Sequence, residues 1–304
     1  MYPYVLMVLV VFMYAGNILI GKAMNDLPPL TITFFRLLIA FLVLLPIGYR
    51  SVLTHKSAFL KNKKPVFVLS LSGIALFNMS IYGSLQFTSS SNVAILESAI
   101  PAVTVILSIY MVKEKINKAQ TLGILLSLFG AVWVIVDGRL LQLGSLQWNV
   151  GDFIMVGAIL SWALYSIFVK LHMFRFPPYG AVLVITGIGM LLVMPAMFIE
   201  WLFLGVPDLM QWPYVLGLLY LGVFPSFIAL IFYNRAVEML SASKASIFLN
   251  FLPVITMAGA GLWLGEQITH MHIIGAGIVM AGVLLTTQGG KLNKEHLAKI
   301  SSQA

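Results

Sequence analysis

The chain is divided into apolar runs of about the length that crosses a bilayer, separated by short polar connections. A helix of about 20 apolar residues spans the hydrocarbon core of a membrane. The sequence places ten such runs at approximately residues 4–20, 31–49, 66–87, 93–112, 119–136, 153–171, 181–203, 212–233, 245–264 and 271–287. The connections leave almost no room for a soluble domain. The sequence therefore predicts an all-α membrane protein of about ten transmembrane helices.

Composition leads to the same class. Of the 304 residues, 60% are hydrophobic and 9% are charged, against roughly 45–50% and 25% in soluble domains. Even large soluble domains leave about a quarter of their chain surface in water, so the expected partner of this surface is a lipid bilayer. The net charge of +8 comes from basic residues scattered over short loops, which argues against nucleic acid as a partner. The chain has no cysteine, which excludes disulfides and thiolate metal ligands.

The distribution of basic residues predicts the orientation. Lys22 and Arg139 are the only basic residues in one set of loops, and Arg36 falls inside a span. The opposite loops and the C-terminal tail hold the others: Arg50, Lys56, Lys61, Lys63, Lys64, Lys113, Lys115, Lys118, Lys170, Arg175, Arg235, Lys244, Lys291, Lys294 and Lys299. Basic loops remain on the cytoplasmic side. We therefore expect a multi-pass protein of the cell membrane with both termini in the cytoplasm.

The chain also contains an internal repeat. An offset of 152 residues pairs Pro101 with Pro253 and Glu114 with Glu266. Further matches at this offset include Ser89 with Ser241, Thr104 with Thr256, Gly123 with Gly275 and Gly130 with Gly282. Upstream the offset is 149, and it pairs Pro28, Pro29 and Pro46 with Pro177, Pro178 and Pro195. Prolines, glycines and glutamates in matching places indicate two related halves.

The halves are residues 1–143 and 144–290, followed by a short basic cytoplasmic tail at 291–304. Each half holds five predicted helices. Because five is odd, the second half enters the membrane from the opposite side. The predicted fold is thus two inverted five-helix repeats, a plan found in secondary transporters.

These features resemble a known family. The stretch 89–130, with its serines, Pro101, Glu114 and two glycines, is similar to the signature of an EamA domain, and 241–282 repeats it. The opening "YAGNILIGKAMNDLPPLTITFFRLLIAFLVLLP" is similar to the start of that family. The resemblance covers about residues 4–288 and implies the drug/metabolite transporter superfamily. It further implies ten helices, a central cavity between the halves, and export or exchange of amino acids, metabolites or drugs.

Glu97 is the outstanding candidate for chemistry because it lies within the fourth span. Pro101 follows four residues later and cannot donate to the Glu97 carbonyl, so we expect a kink there. Pro253, its repeat counterpart, predicts a second kink. A carboxylate and a free carbonyl at one place suit an ammonium group or a proton. The alternative is a structural carboxylate that pairs with Arg36 or reaches the outer interface.

Arg36 lies in the second span and has no charged counterpart in the repeat, where it falls on Ile185. Its guanidinium could hold a substrate carboxylate. Fixing helix ends or pairing with Glu97 is the structural alternative. The two charges are places where the halves differ in chemistry, and charge or coupling roles are assigned to both as hypotheses.

The other candidates are uncharged polar or aromatic residues inside spans. They are Tyr14, Asn17, Asn78, Tyr82, Trp162, Tyr165 and Asn250. Together with Glu97 they suggest an amphipathic substrate pocket of aromatic rings and amides. Hydrogen bonding and packing between helices is the alternative for each of them. Glu114 and Glu266 follow their helices, and we expect them to cap or pair near the membrane surface.

The function predicted from these residues is secondary transport of a small organic metabolite, such as an amino acid, by alternating access and in the direction of export. The alternative is a proton-coupled multidrug or organic-cation exporter, and less favoured are a channel or a membrane scaffold. The related small multidrug exporters use a glutamate in their first helix, which this chain lacks. The sequence has no catalytic, nucleotide or metal motif, so we expect no enzyme activity, cofactor or metal, and a monomer or homodimer.

Overall fold

The fold is helical throughout the part of the chain that the computed structural model describes, residues 2–111, 113, 116–136, 149–240, 248–249 and 251–303. Among these residues, eight helices are long and apolar enough to cross a membrane, and two shorter apolar helices accompany them. The predicted all-α membrane class is confirmed. The two shorter helices fall in the regions of the ninth and tenth predicted spans.

Within the described residues, ten main helices follow one another. They are α1 Tyr2–Ala23, α2 Pro29–Thr54, α3 Lys63–Leu85, α4 Ser90–Met111, α5 Lys118–Ile135, α6 Val150–His172, α7 Pro178–Leu204, α8 Trp212–Tyr233, α9 Leu252–Trp263 and α10 His270–Gln303. A short helix, Lys56–Lys61, lies between α2 and α3, and α8 continues in helical form to Leu240. The helix α10 runs on through residues that the sequence assigns to a tail.

Three of the helices are interrupted near their middle. A π-helical turn occupies Ser70–Leu76 in α3, and a second occupies Phe224–Ile228 in α8. In α4 the α-helical stretch ends at Glu97 and resumes at Ile100, just before Pro101. Such turns change the direction of side chains and are frequent at functional sites. All three interruptions lie beside the polar residues of the bundle interior.

The ninth helix begins later than the sequence predicts. Residues 248 and 249 are helical, Phe251 forms a turn, and α9 starts at Leu252. Pro253 is thus the second residue of its helix, as Pro101 is the second residue of the stretch that begins at Ile100. A proline is tolerated in the first helical turn because that N–H has no partner within the helix. The predicted residues 245–247 of this span lie outside the described residues.

Helix starts follow from local sequence. The pairs Pro28–Pro29 and Pro177–Pro178 open α2 and α7, where a fixed φ favours the first turn. Asn117 caps α5, its side chain accepting from the Gln120 N–H at 2.8 Å. The two proline pairs therefore begin the second helix of each half at matching positions.

Hydrogen bonds connect the helix ends at one side of the bundle. Lys22 Nζ, at the end of α1, donates to the carbonyl oxygens of Leu85 (2.7 Å) and Thr88 (2.8 Å), between α3 and α4. The Thr88 hydroxyl in turn donates to Asp152 at the start of α6, at 2.7 Å. A cation at a helix C-terminus also offsets the partial negative charge of the terminal carbonyls. We call this side the Lys22 face.

Two glutamates connect further helix ends at the Lys22 face. Glu200, near the end of α7, accepts from the backbone N–H and hydroxyl of Thr31 in α2, both at 2.9 Å. Glu266, between α9 and α10, accepts from the hydroxyls of Ser90 (2.8 Å) and Ser91 (2.9 Å) and from both their N–H groups. The expected capping role of Glu266 is confirmed, whereas Glu114 lies outside the described residues. Each carboxylate supplies acceptors for N–H groups that a helix start leaves unpaired.

A close helix contact joins α5 to α10. A Cβ built on Gly282 would lie 2.3 Å from Ser127 N and 2.7 Å from Gly123 O. Two backbones approach this closely only where side chains are absent, as at small-residue interfaces in membranes. The outward surface of the bundle is by contrast apolar, with Leu202 and Leu262 84% and 91% exposed. Such a surface suits lipid rather than water.

Candidate functional site

A polar network surrounds Arg36 in the interior of the bundle. The guanidinium is 5% exposed, and its Nη1 donates to Asn17 Oδ1 (2.9 Å), Asn78 Oδ1 (2.8 Å) and the Tyr82 hydroxyl. The Tyr82 hydroxyl also donates to Asn17 Oδ1 at 2.9 Å, and the guanidinium lies over the Tyr82 ring, 5.4 Å from its centroid. The network joins α1, α2 and α3.

Ser226 connects this network to the second half of the chain. Its hydroxyl accepts from Arg36 Nη2 at 2.6 Å and from Nε at 3.2 Å. The preceding residue, Pro225, lacks an N–H and so leaves the carbonyl of Leu221 without its helical donor. The Ser226 hydroxyl donates to that carbonyl at 2.8 Å. The π-helical turn of α8 therefore presents a serine oxygen to Arg36 and satisfies its own backbone as well.

Every hydrogen bond that Arg36 makes to a described residue goes to a neutral side chain. The expected alternative of an ion pair with Glu97 is not what the structure shows. Arg36 is still the charged residue whose field reaches the Glu97 carboxylate. The Arg36 guanidinium thus connects α1, α2, α3 and α8 through hydrogen bonds. The Glu97 carboxylate has no direct charged partner among the described residues.

Glu97 ends the first stretch of α4. Residues 93–96 and 98–100 around it are buried, while Glu97 itself is half-buried. Its neighbours Leu96 and Ala99 belong to the main buried cluster of the bundle. Its Oε2 is buried and has no hydrogen-bond partner among the described residues. An unpartnered buried oxygen of this kind is costly and calls for a ligand or a proton.

Aromatic rings of α1 and α6 pack against the same buried cluster. Trp162 and Tyr165 in α6 pack at a centroid distance of 4.9 Å, and Trp162 also packs on Phe77 at 4.3 Å. Tyr14 in α1 packs against this cluster and, with Tyr233 of α8, against a second cluster that includes Val10 and Ala229. A Cβ on Gly73 would lie 2.2 Å from the Tyr165 ring, so this ring reaches its position because α3 has a glycine there.

The structure thus divides the predicted site residues into two neighbouring groups. Asn17, Asn78 and Tyr82 hold Arg36. Tyr14 and Trp162 instead pack against the cluster that holds the neighbours of Glu97, and Tyr165 packs on Trp162. Asn250 lies outside the described residues. Sequence reasoning missed two members of these groups, Ser226 and Tyr233. Pro225 carried a usable signal for Ser226, since a proline inside an apolar span frees a carbonyl for a nearby hydroxyl.

A separate cavity opens at the Lys22 face, away from Glu97. Its empty volume is about 500 Å³, and its lining includes Ile135, Asp152 and His272. Asp152 is 1% exposed and accepts from Thr88 and, at 3.5 Å, from Asn92. No group of three or more histidines or acidic residues in the described part of the chain is arranged to hold a metal.

A buried charge network inside a bundle of apolar helices defines a multi-pass membrane protein, and such groups mark solute pathways. Comparison with known families gives a more specific assignment. The model of the EamA-like transporter family matches residues 1–136 and 149–288. The chain belongs to the EamA-like transporter family, as its resemblance predicted.

Relatives and a solved structure agree with this assignment. The chain is 29% identical over 277 residues to the uncharacterized transporter YetK of Bacillus subtilis, covering 89% of this chain and 82% of YetK. It is 30% identical over 232 residues to the uncharacterized transporter YyaM of the same organism, covering 75% and 74% of the two chains. One crystal structure aligns with a TM-score of 0.57 over 93% of this chain and 98% of that chain, at 17% identity, which shows the fold alone. The protein is a membrane transporter for a small molecule and not an enzyme.

Proposed function

We propose that the protein carries a small organic metabolite across the cell membrane by alternating access between two five-helix halves, residues 1–143 and 144–290. The observation that carries the proposal is the buried Glu97 Oε2, which has no hydrogen-bond partner among the described residues. Tyr14 and Trp162 pack against the buried cluster that holds the neighbours of Glu97 in α4. A solute with an apolar body and a polar group fits such surroundings. Export is the direction that the family resemblance implies.

Contacts between α5 and α10 support the inverted repeat. A Cβ on Gly282 would lie 2.7 Å from Gly123 O, and a Cβ on Gly275 would lie 3.7 Å from Gly130 O. The offset of 152 residues converts Gly123 into Gly275 and Gly130 into Gly282. The two contacts therefore exchange under the repeat, as expected for halves related by a twofold axis in the membrane plane.

The directions of the helices support the same plan. Hydrogen bonds at the Lys22 face connect the ends of α1, α3 and α7 with the starts of α2, α4 and α6. Glu266, between α9 and α10, also bonds to the start of α4 there. The first helix of each half, α1 and α6, therefore run in opposite directions. Two halves of this kind can exchange conformations, so that inward-open and outward-open states have similar energies.

The distribution of basic residues supports placing the Lys22 face outside the cell and both termini inside. Because the chain has no cysteine, single cysteines test this directly. A membrane-impermeant maleimide added to intact cells should label Asp26→Cys at the Lys22 face and should leave Lys63→Cys at the start of α3 unlabelled. The opposite pattern contradicts the orientation.

In this proposal, the Glu266 contact with Ser90 and Ser91 keeps the Lys22 face closed. Glu266→Gln should open that face, because charge-assisted hydrogen bonds contribute about 1.5–3 kcal/mol each and 1.4 kcal/mol is tenfold in an equilibrium. Ala94→Cys, one turn below the contact and fully buried, reports opening. We expect its labelling to be about tenfold faster in the Glu266→Gln background.

The control for this experiment is Asp26→Asn, the same change of acid to amide at an exposed position of the Lys22 face. It should leave the labelling of Ala94→Cys unchanged. Equal labelling rates in the wild-type and Glu266→Gln backgrounds would show that the contact does not control access.

Reconstitution into liposomes tests the transport function itself. We expect flux of a carried solute to saturate with its concentration and to show counterflow when unlabelled solute is loaded on the other side. Flux that rises without saturation and carries ionic current at channel rates would exclude alternating access. The matched negative control is liposomes without protein from the same preparation.

A further inference from the structure

The contrast between Arg36 and Glu97 indicates the polar group that the site can bind. Both are charged residues in the interior of the bundle, and they differ in what surrounds them. Arg36 is surrounded by oxygen acceptors on α1, α3 and α8. Glu97 has a buried oxygen without a hydrogen-bond donor among the described residues.

A substrate carboxylate would have to compete with these acceptors for Arg36. Asn17 and Asn78 occupy Nη1 at 2.9 and 2.8 Å, and Ser226 occupies Nη2 at 2.6 Å. Arg36 is also 5% exposed, so an incoming anion would have to displace packed side chains to reach it. Bidentate recognition of a carboxylate needs the open edge of a guanidinium, which this network covers. The site therefore favours solutes that do not need an arginine.

Glu97 presents the opposite case. Its Oε2 lacks a donor among the described residues, and the side chain is half-buried. An ammonium group brings both a positive charge and N–H donors, which together satisfy a buried carboxylate. A neutral hydroxyl would supply a donor without the charge. The carboxylate therefore discriminates in favour of amines.

The surrounding rings favour the same ligand. Tyr14 and Trp162 pack against the buried cluster that holds the neighbours of Glu97 in α4, and Trp162 packs with Tyr165. Aromatic faces attract cations through their quadrupole, Trp and Tyr more than most. They also receive the apolar part of an amphipathic solute. The Glu97 carboxylate and these rings together suit an organic amine better than an amino acid that carries both charges.

We infer that the transported solute is an organic amine with an apolar body, whose ammonium group binds Glu97 and whose body lies among Tyr14, Trp162 and Tyr165. The inference rests on the proposed transport function and names the substrate class of the same site. It favours an amine over a zwitterionic amino acid, because the carboxylate of a zwitterion would need Arg36, whose donors already have partners.

Four compounds that share a phenyl ring and a short chain test the inference. They are phenethylamine, phenylalanine, 3-phenylpropanoate and 2-phenylethanol, which carry a cation, a zwitterion, an anion and no charge. Isothermal titration calorimetry on the detergent-purified full chain should give tightest binding for phenethylamine. Glu97→Gln should weaken phenethylamine binding at least tenfold and leave 2-phenylethanol binding unchanged, since only the charge is removed.

Asp26→Asn is the matched control, because it makes the same change at an exposed loop position and should bind phenethylamine as the wild type does. Glu97→Gln should keep the melting temperature of the wild type, since it removes a buried charge without breaking a hydrogen bond of Oε2. Three outcomes would overturn the inference. Phenylalanine or 3-phenylpropanoate could bind more tightly than phenethylamine, Glu97→Gln could bind phenethylamine as tightly as the wild type does, or none of the four compounds could bind.

Flux separates this inference from the proposed function. Saturable, counterflow-competent transport of phenylalanine with no preference for the amine would leave the carrier standing and refute the amine site. Binding of phenethylamine that depends on Glu97, without flux of any of the four compounds in liposomes, would support the site and contradict transport by alternating access.

Discussion

Gly282→Ala is expected to lower the free energy of unfolding by about 1–3 kcal/mol, the usual cost of overpacking. The added Cβ would lie 2.3 Å from Ser127 N and 2.7 Å from Gly123 O, and these are backbone atoms that no rotamer change can move aside. The helices α5 and α10 would have to separate along their whole contact. Unfolding of the purified protein in mixed detergent and sodium dodecyl sulfate measures the effect.

The control lies in the same helix. Gly277 has nothing within 4 Å of a built Cβ, so Gly277→Ala should be neutral or slightly stabilising, since alanine is favoured over glycine in helices by about 1 kcal/mol. Loss of stability in Gly282→Ala alone assigns the effect to close packing and not to backbone entropy. Equal stability of the two variants would mean that α5 and α10 do not approach as the structure has them.

The helices could be predicted from the sequence because their cause is local. The length of an apolar run and a proline at a helix start can both be read directly from the sequence. The predicted span 153–171 lies inside the observed helix Val150–His172. The span predicted at 212–233 coincides with the apolar helix Trp212–Tyr233. Lipid selects for length and apolarity in each segment by itself, which is why these two properties suffice.

The partners of the buried charges could not be predicted in this way. Asn17, Asn78 and Tyr82 were identified as polar residues inside spans, but their common partner depends on how three helices pack. The ion pair of Arg36 with Glu97 was a reasonable alternative from charge alone. Ser226 reaches Arg36 from the π-helical turn of α8, and no apolar pattern encodes the position of that turn.

Pro225 is a sequence signal for Ser226, the partner of Arg36 in α8. A proline frees the carbonyl four residues earlier, as Pro101 does for Glu97. Pro225 frees the Leu221 carbonyl in the same way, and Ser226 donates to it. Tyr233 carries no such signal, because nothing in the sequence distinguishes an interior tyrosine from one at the interface.

Arg36→Met is expected to lower the free energy of unfolding by about 3 kcal/mol, as when one charge of a buried set is removed. Methionine keeps most of the volume and removes the donors, so Asn78 Oδ1 loses its 2.8 Å hydrogen bond. The field of Arg36 on Glu97 disappears as well, and the carboxylate becomes a buried charge without compensation. The same detergent titration measures the loss.

A double-mutant cycle separates these two causes. Arg36→Met combined with Glu97→Gln should recover about 1 kcal/mol, in the range found for coupled neighbours, because the uncompensated carboxylate is gone while Asn78 still lacks its donor. Arg50→Met, at an exposed position of the same helix, should change stability by less than about 0.5 kcal/mol. If the double variant is less stable than Arg36→Met alone, the two charges do not compensate one another, and Arg36 then stabilises the bundle only through its neutral partners.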